Sequence, residues 1–257
     1  MYGIEGQLYN QLCKLRDEYG LKGIKAEFEA EGSSFRDLMR LRRLTSKANV
    51  GLYLKIGGVE AIRDMKDALE IGVDGLIAPM VESKFGAKKF HDSLLKVYGT
   101  HKIHYTVNIE TQGAISQLDD ILDFSCGKFD NITIGRSDLT SSYFDQELNP
   151  DSDFILKILE DIAPKIEKKD LTLTIGGSIS SDTIKIINLK FPSLKEFIYK
   201  LETRKVILPT SVFFNKKDAL QEALIFEELY ILSKKEFIDI QISSEILRLT
   251  ELKRRAQ

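Results

Sequence analysis

Two acidic residues stand where chemistry could begin. Glu110 closes the run Asn108-Ile109-Glu110-Thr111, and Asp138 follows a second run in Gly135-Arg136-Ser137-Asp138-Leu139. If both runs are strands of one sheet, a single strand–helix–strand unit separates them. Adjacent parallel strands lie about 4.8 Å apart, so the two carboxylates can converge on one ion. Oxygen ligands with room for water suit a hard divalent cation such as Mg²⁺. The backbone N–H groups of Gly135, Arg136 and Ser137 lie beside the pair and form a cradle for a carboxylate. A purely local reading competes, in which Asp138 caps the following turn and Thr111 caps the next helix. The Gly176-Gly177-Ser178 turn reads either as a phosphate nest or as a tight strand-to-helix connection. His91, His101 and His104 lack zinc spacing and read as surface or packing residues. Cys13 and Cys126 have no partner nearby, which reads as two core thiols and excludes a disulfide framework.

The elements that must position these residues follow from periodicity. Apolar runs at 23–29, 50–57, 75–81, 103–110, 131–135, 171–176 and 196–208 read as strands. Between them, stretches of helical period occupy 35–46, 60–71, 83–98, 114–124, 153–166 and 182–189, with Gly72 placed as a helix C-cap. A helix over 7–19 precedes the first strand, and helices over 218–233 and 243–255 end the chain. The alternation predicts an α/β fold, a TIM-type (β/α) barrel, with an open doubly wound sheet as the alternative. Seven runs are one short of eight. Either one strand is missing, or 196–208 holds more than a single strand. No linker or composition shift divides residues 1–257, which read as one domain. The segment 218–255 carries an apolar stripe (Leu220, Ala223, Leu224, Leu229, Ile231) suited to contact with another subunit, so a homo-oligomer is expected.

Strand parity tells more. Lys25, Glu27 and Glu29 share one face; so do Tyr53 and Lys55; Thr106, Asn108 and Glu110; Thr172 and Thr174; and Lys200, Glu202 and Arg204. An ordinary parallel strand is apolar on both faces. Here one face of five strands is polar and its charges gather toward the C-terminal ends, where a barrel keeps its active site.

Composition narrows the partners. Lys and Arg number 37 against 39 Asp and Glu, a net charge of −2 with no basic stripe, which argues against nucleic acid. No apolar run reaches about 18 residues, the length of a membrane-spanning helix. Residues 1–20 are interrupted by Glu5, Lys14, Arg16, Asp17 and Glu18, so they lack a signal-peptide core. The expectation is a soluble cytoplasmic protein that meets a small molecule rather than a membrane.

Three motifs in order, Leu76-Ile77-Ala78-Pro79-Met80-Val81-Glu82-Ser83, then Asn108-Ile109-Glu110-Thr111, then Ile134-Gly135-Arg136-Ser137-Asp138-Leu139, resemble the HpcH/HpaI aldolase and citrate lyase superfamily. The resemblance covers roughly residues 20 to 180. It implies a TIM-type barrel, a Mg²⁺ or Mn²⁺ ion on Glu110 and Asp138, and a pyruvate-like 2-oxo acid whose enolate the metal stabilises during C–C cleavage or addition. It also implies a C-terminal helix exchanged between subunits. The chain departs from the family pattern at three places. Lys55 stands where an Arg is usual, Asn108 where a Gln is frequent, and 25–29 holds no His base. Lys is the poorer bidentate clamp. The resemblance therefore points to a metal-dependent carbon–carbon lyase in which Lys55 holds or protonates the enolate oxygen and Glu29 or Glu27 is the base. Asn108, Gly135, Arg136 and Ser137 would bind substrate. Two alternatives stay open: a Schiff-base aldolase using Lys25, Lys55 or Lys200, and a catalytically silent binding barrel.

Overall fold

The structure is a computed structural model and describes residues 3–256. Helix α1 (Gly3–Tyr19) leads into β1 (Gly23–Glu27), α2 (Phe35–Lys47), β2 (Leu52–Lys55), α3 (Ile62–Ile71), β3 (Gly75–Ala78), α4 (Lys84–Tyr98) and β4 (His104–Ile109). Two short helices, α5 (Gln112–Ser116) and α6 (Leu118–Ser125), replace the single helix expected over 114–124; the chain breaks at Gln117. Then come β5 (Asn131–Gly135), α7 (Arg136–Ser141), α8 (Asp153–Glu167), β6 (Thr172–Gly176), α9 (Ser181–Lys190) and α10 (Pro192–Phe197). The chain finishes with β7 (Ile198–Glu202), β8 (Val206–Pro209), α11 (Thr210–Asn215) and α12 (Ala219–Arg255).

The eight strands close into a barrel in chain order. Strands β1 to β7 are parallel, while β8 runs antiparallel to both β7 and β1. The run at 196–208 therefore hides a hairpin, and this supplies the eighth strand. Only Thr203, Arg204 and Lys205 join β7 to β8, and a parallel return needs a crossover of a dozen or more residues. The Thr203 N–H donates to Val206 O (3.0 Å) and Thr203 Oγ1 accepts from the Val206 N–H (3.1 Å), which closes the turn.

Alternation divides the strands as parity predicts. Ile24, Ala26, Leu52, Leu54, Val107, Ile109, Ile132 and Ile134 face the helices and are fully buried. Lys25, Glu27, Lys55, Thr106, Asn108, Thr133, Thr174, Lys200 and Glu202 are buried as well. They occupy the opposite face, the barrel interior. Local chemistry ends the helices where expected: Gly72 adopts φ 71° after α3, and Ser34 caps α2 through the Asp37 N–H.

The C-terminal tail differs from expectation. It is one continuous helix, because 234–242 contains neither Gly nor Pro to stop it. Its first half belongs to this barrel. Ala223 and Phe226 are fully buried, Tyr19 Oη donates to Asp218 Oδ2 (2.7 Å), and Gln11 Nε2 donates to Glu222 Oε2 (2.8 Å). Of the expected stripe, Ala223 is thus core and Leu220 and Leu229 pack partly on it, leaving Leu224 and Ile231 exposed. From Ile238 onward every described residue is exposed. No described helix is long and apolar enough to cross a membrane.

Tyr53 fills the lower barrel because two neighbours lack side chains. A Cβ at Gly75 would lie 2.5 Å from Tyr53 Cδ1, and one at Gly23 would overlap the same ring. Gly75→Ala is expected to lower stability by about 1–3 kcal/mol through overpacking. Gly6→Ala, with open space around it in α1, should be neutral or stabilising by up to about 1 kcal/mol. Urea unfolding of both variants checks the contrast.

Candidate active site

The C-terminal ends of the parallel strands open into a cavity of about 460 Å³. Lys25, Glu27, Lys55, Asn108, Glu110, Gly135, Ser137, Asp138 and Glu202 line it, joined by Leu224 and Glu227 from α12. Strand ends set the height of each group: Glu27 and Lys55 pair in register across β1 and β2, and Glu110 follows directly after β4.

Glu110 is the most constrained group. Its Oε1 accepts from Asn108 Nδ2 (2.9 Å) and Lys55 Nζ (3.3 Å), and its Oε2 from the Met80 N–H (3.1 Å). Met80 reaches it only because β3 stops at Ala78 and Met80 takes φ 49°, ending the run expected to 81 early. A Cβ at Gly135 would lie 2.5 Å from Glu110 Oε1, so the glycine leaves room for the carboxylate. Burial raises the Glu110 pKa; the Lys55 charge, the Met80 N–H and Asn108 oppose the shift, and the Asp138 charge adds to it. Asp138 is exposed at the mouth, and its carboxylate accepts no hydrogen bond from a described residue. The capping alternative thus holds for Thr111, which accepts from the Ala114 N–H (3.1 Å), but not for Asp138.

Two lysines stand among the acids. Lys55 Nζ lies 2.9 Å from Glu29 Oε2, off the direction of a hydrogen bond, and Lys25 Nζ lies 2.8 Å from Glu202 Oε1 and 3.4 Å from Glu27 Oε1. Burial works against both ammonium groups, but the surrounding carboxylates prevail and raise both pKa values. A protonated amine cannot attack a carbonyl, which argues against Lys25 and Lys55 as Schiff-base nucleophiles. Lys200 faces a separate chamber of only about 20 Å³ lower in the barrel, too small for a 2-oxo acid. Glu29 lies beyond the end of β1, in the loop to α2, rather than on the strand expected to 29.

Arg136 departs from the role expected of it in substrate binding. Its side chain is fully buried and turns away from the cavity, donating to Gly176 O (3.2 Å), Gly177 O (2.7 Å), Pro150 O (3.1 Å) and Asp151 Oδ1 (2.6 Å). Only its backbone faces the site. A guanidinium with five donors thus staples the loop after α7 to the turn after β6. The Gly176-Gly177-Ser178 segment is therefore a pinned turn, with Gly177 at φ 82°. A Cβ there would lie 2.5 Å from Ser137 N and 2.7 Å from Arg136 N, so the glycine keeps the cradle above those N–H groups open. Ser137 Oγ and Ser178 Oγ share a hydrogen bond at the rim (3.0 Å).

The remaining residues fall as packing groups, with one exception. His104 stands edge-on to Tyr53 (5.4 Å), His91 packs on Phe124 and Phe129, and His101 stacks on Tyr98. Cys126 is exposed at the end of α6 rather than a core thiol. Thr203, Leu224 and Glu227 carry no signal of a site role in the residue order, because only the hairpin and the docking of α12 bring them to the mouth.

Asn108 Oδ1 is buried without a partner, an acceptor available to a ligand. Among the described residues no cluster of three or more His, Cys, Asp or Glu side chains is arranged to hold a metal. A divalent ion here would rest on Glu110, Asp138 and water. That donor set, all oxygen with two carboxylates, fits Mg²⁺ or Mn²⁺.

Residues 48–166 match the family model described as HpcH/HpaI aldolase/citrate lyase. The chain is similar in fold to solved structures over most of its length. One is an HpcH/HpaI aldolase from Desulfitobacterium hafniense DCB-2 (16% identity, covering 90% of this chain and 89% of that one, TM-score 0.61). Another is an HpcH/HpaI aldolase/citrate lyase family protein from Burkholderia cenocepacia J2315 (13%, 83% and 90%, 0.61). A third is the citrate synthase SbnG (17%, 72% and 78%, 0.58). No curated protein matches the chain.

Removing the staple tests its role. Arg136→Ala is expected to lower stability by about 2–4 kcal/mol, since it strands buried carbonyls and Asp151. Gly177→Ala should cost about 1–2 kcal/mol of backbone strain and abolish binding of a small dicarboxylate such as oxalate. Urea unfolding and calorimetric titration read the two effects separately.

Proposed function

We propose that the protein is a metal-dependent carbon–carbon lyase acting on a pyruvate-like 2-oxo acid through its enolate. The observation that carries this reading is the buried Glu110 carboxylate, aimed into a cavity beside the unpartnered Asp138 carboxylate and the N–H cradle of 135–137. A divalent ion on Glu110 and Asp138, when bound, supplies Lewis-acid polarisation of a carbonyl oxygen. The cradle binds the substrate carboxylate under Gly177. The Asn108 carbonyl oxygen accepts a hydrogen bond from a substrate hydroxyl or a bound water.

Glu27 lines the cavity and Glu29 stands at its edge beside Lys55; of the two, Glu27 is better placed as base. A proton leaves the carbon next to the carbonyl for this carboxylate, and its electron pair forms the carbon–carbon double bond of the enolate. The Lys55 ammonium holds the negative oxygen. The enolate carbon then attacks the carbonyl carbon of a second substrate, whose π pair moves to oxygen as an alkoxide that takes a proton from water at the cavity mouth. The reverse sequence cleaves the bond. A silent binding barrel is the second reading, favoured by Lys55 already neutralising Glu110. It predicts metal binding without turnover.

Calorimetric titration with Mg²⁺ or Mn²⁺ tests the site. Binding should be weak, tighten when pyruvate or oxalate is added, and disappear in Glu110→Gln and Asp138→Asn. Lys55→Met should bind the ion more tightly than wild type, because the lysine competes for Glu110, yet lose activity. Equal binding by wild type and both carboxylate variants would sink the metal reading.

The exposed apolar residues Ile238, Ile242, Ile246, Leu249 and Leu252 support self-association. Deleting residues 238–257 spares the half of α12 that completes the core. Light scattering should then report a monomer where the full chain is an oligomer, and an unchanged mass would refute the assignment.

A further inference from the structure

Beneath the cavity, the barrel holds charge that the proposed chemistry does not use. A chamber of about 20 Å³, enough for one water molecule, lies between the lower strand ends, and Lys200, Tyr53 and His104 face it. Lys200 is 8% exposed and has, among the described residues, no carboxylate within ion-pair distance and no hydrogen-bond partner. Glu202, two residues further along β7, lines both this chamber and the upper cavity, where it holds Lys25 at 2.8 Å. No other described residue lines both. Lys22 in turn lines both the chamber and an open cavity of about 470 Å³ at the base of the barrel. Polar groups thus run from the reaction cavity to solvent at the opposite end.

We propose that Glu202 and Lys200 are proton-relay residues that carry the proton taken by Glu27 away from the cavity through the barrel interior. Glu27 gives the proton to the Lys25 group as Lys25 passes one to Glu202, across contacts of 3.4 and 2.8 Å. Glu202 then protonates the Lys200 amine through the chamber, and the ammonium releases its proton toward Lys22 and the basal cavity. Each step moves one proton onto an existing lone pair, so no other reactant is needed.

The charge surroundings favour a Lys200 that can exchange protons near neutrality. Burial lowers its pKa to about 8; Glu202 and Asp130 oppose this, while Lys22 adds to it. The facing His104 is itself pushed down to about 4 by burial and by Lys200, so it contributes no positive charge.

The relay rests on the 2-oxo acid reading for its proton, so two measurements are paired. In protein labelled with ¹³C at lysine Cε, with Lys200→Arg to assign the signal, Lys200 should titrate near pH 8 and shift lower in Glu202→Gln. A Lys200 signal that titrates with the surface lysines, or ignores Glu202→Gln, overturns the relay whatever the substrate. In D₂O with Mg²⁺, exchange of the pyruvate methyl protons should rise with pH through about 8 in wild type. Lys200→Met should slow exchange at least tenfold and flatten that rise, and Lys200→Arg should not rescue it, since a guanidinium does not give up its proton. A wild-type rate and profile in Lys200→Met would also overturn the relay. Absence of exchange in wild type rejects the 2-oxo acid instead, and leaves the coupling of Glu202 and Lys200 to the lysine titration.

Discussion

Everything at the barrel mouth depends on burying charges only in opposed sets. Three carboxylates alternate along one segment, Glu27, Glu29 and Glu31, and each meets a different cation: Lys25, Lys55 and Lys205. Arg204 closes the set against Glu31 at 3.3 Å. An unpaired buried ion costs several kcal/mol, and deleting one partner of a buried pair typically costs about 3–5 kcal/mol. The buried members, Lys25, Glu27, Lys55 and Lys205, therefore cannot leave alone. The loop after β1 and the turn between β7 and β8 are tied together by these ion pairs, in addition to the Thr203–Val206 hydrogen bonds that close the turn. The constraint also accounts for the antiparallel last strand: the short hairpin turn is what places Arg204 and Lys205 opposite Glu31.

A period of two makes the inner face of the barrel legible from the order of residues alone. A one-residue slip would turn Lys25, Glu27 and Lys55 outward into the helices, an arrangement with no compensating partner. The same pattern cannot reveal the hairpin. Residues 203–205 carry no Gly, Pro or Asn, and Leu201 and Val206 read as one apolar run interrupted by charge. Nor can it orient Arg136. A guanidinium beside a carboxylate cradle looks like a substrate clamp in sequence, and only the approach of Gly176, Gly177 and Pro150 carbonyls from distant segments shows it facing the other way. The continuous α12 is a third case. Phe237, Ile238, Ile240 and Ile242 suggest an interruption because they fit no single face, yet nothing among them stops a helix.

Lys55 brings more to the site than a hydrogen-bond count. A guanidinium would hold its charge in a planar fork, whereas an ammonium is compact and can divide itself between Glu29 and Glu110. Lys55 can therefore follow whichever carboxylate is left unbalanced. Besides Glu110, Lys55 has Glu29 at 2.9 Å as a second carboxylate partner. In the proposed reading, that second partner would let Lys55 release Glu110 to an ion without being stranded.

Charge balance in the cavity argues the same way. Its lining includes Lys25, Lys55 and Arg204 against Glu27, Glu110, Asp138, Glu202 and Glu227. Lys25 is taken by Glu27 and Glu202, and Arg204 turns to Glu27 and Glu31, so neither reaches Asp138. The excess negative charge then lies near Glu110, whose pKa burial raises and the Asp138 charge raises further. Burial of the Glu110 carboxylate opposes its ionisation and so works against the fold at neutral pH. Because the folded pKa of Glu110 is raised, the protonated form is the one the fold prefers, and stability falls as pH rises through that value. In the proposed reading, a divalent cation on Glu110 and Asp138 would offset that penalty. Around Glu110 and Asp138, the three cations of the lining thus face five acidic side chains, the acidic excess on which the proposed ion site rests.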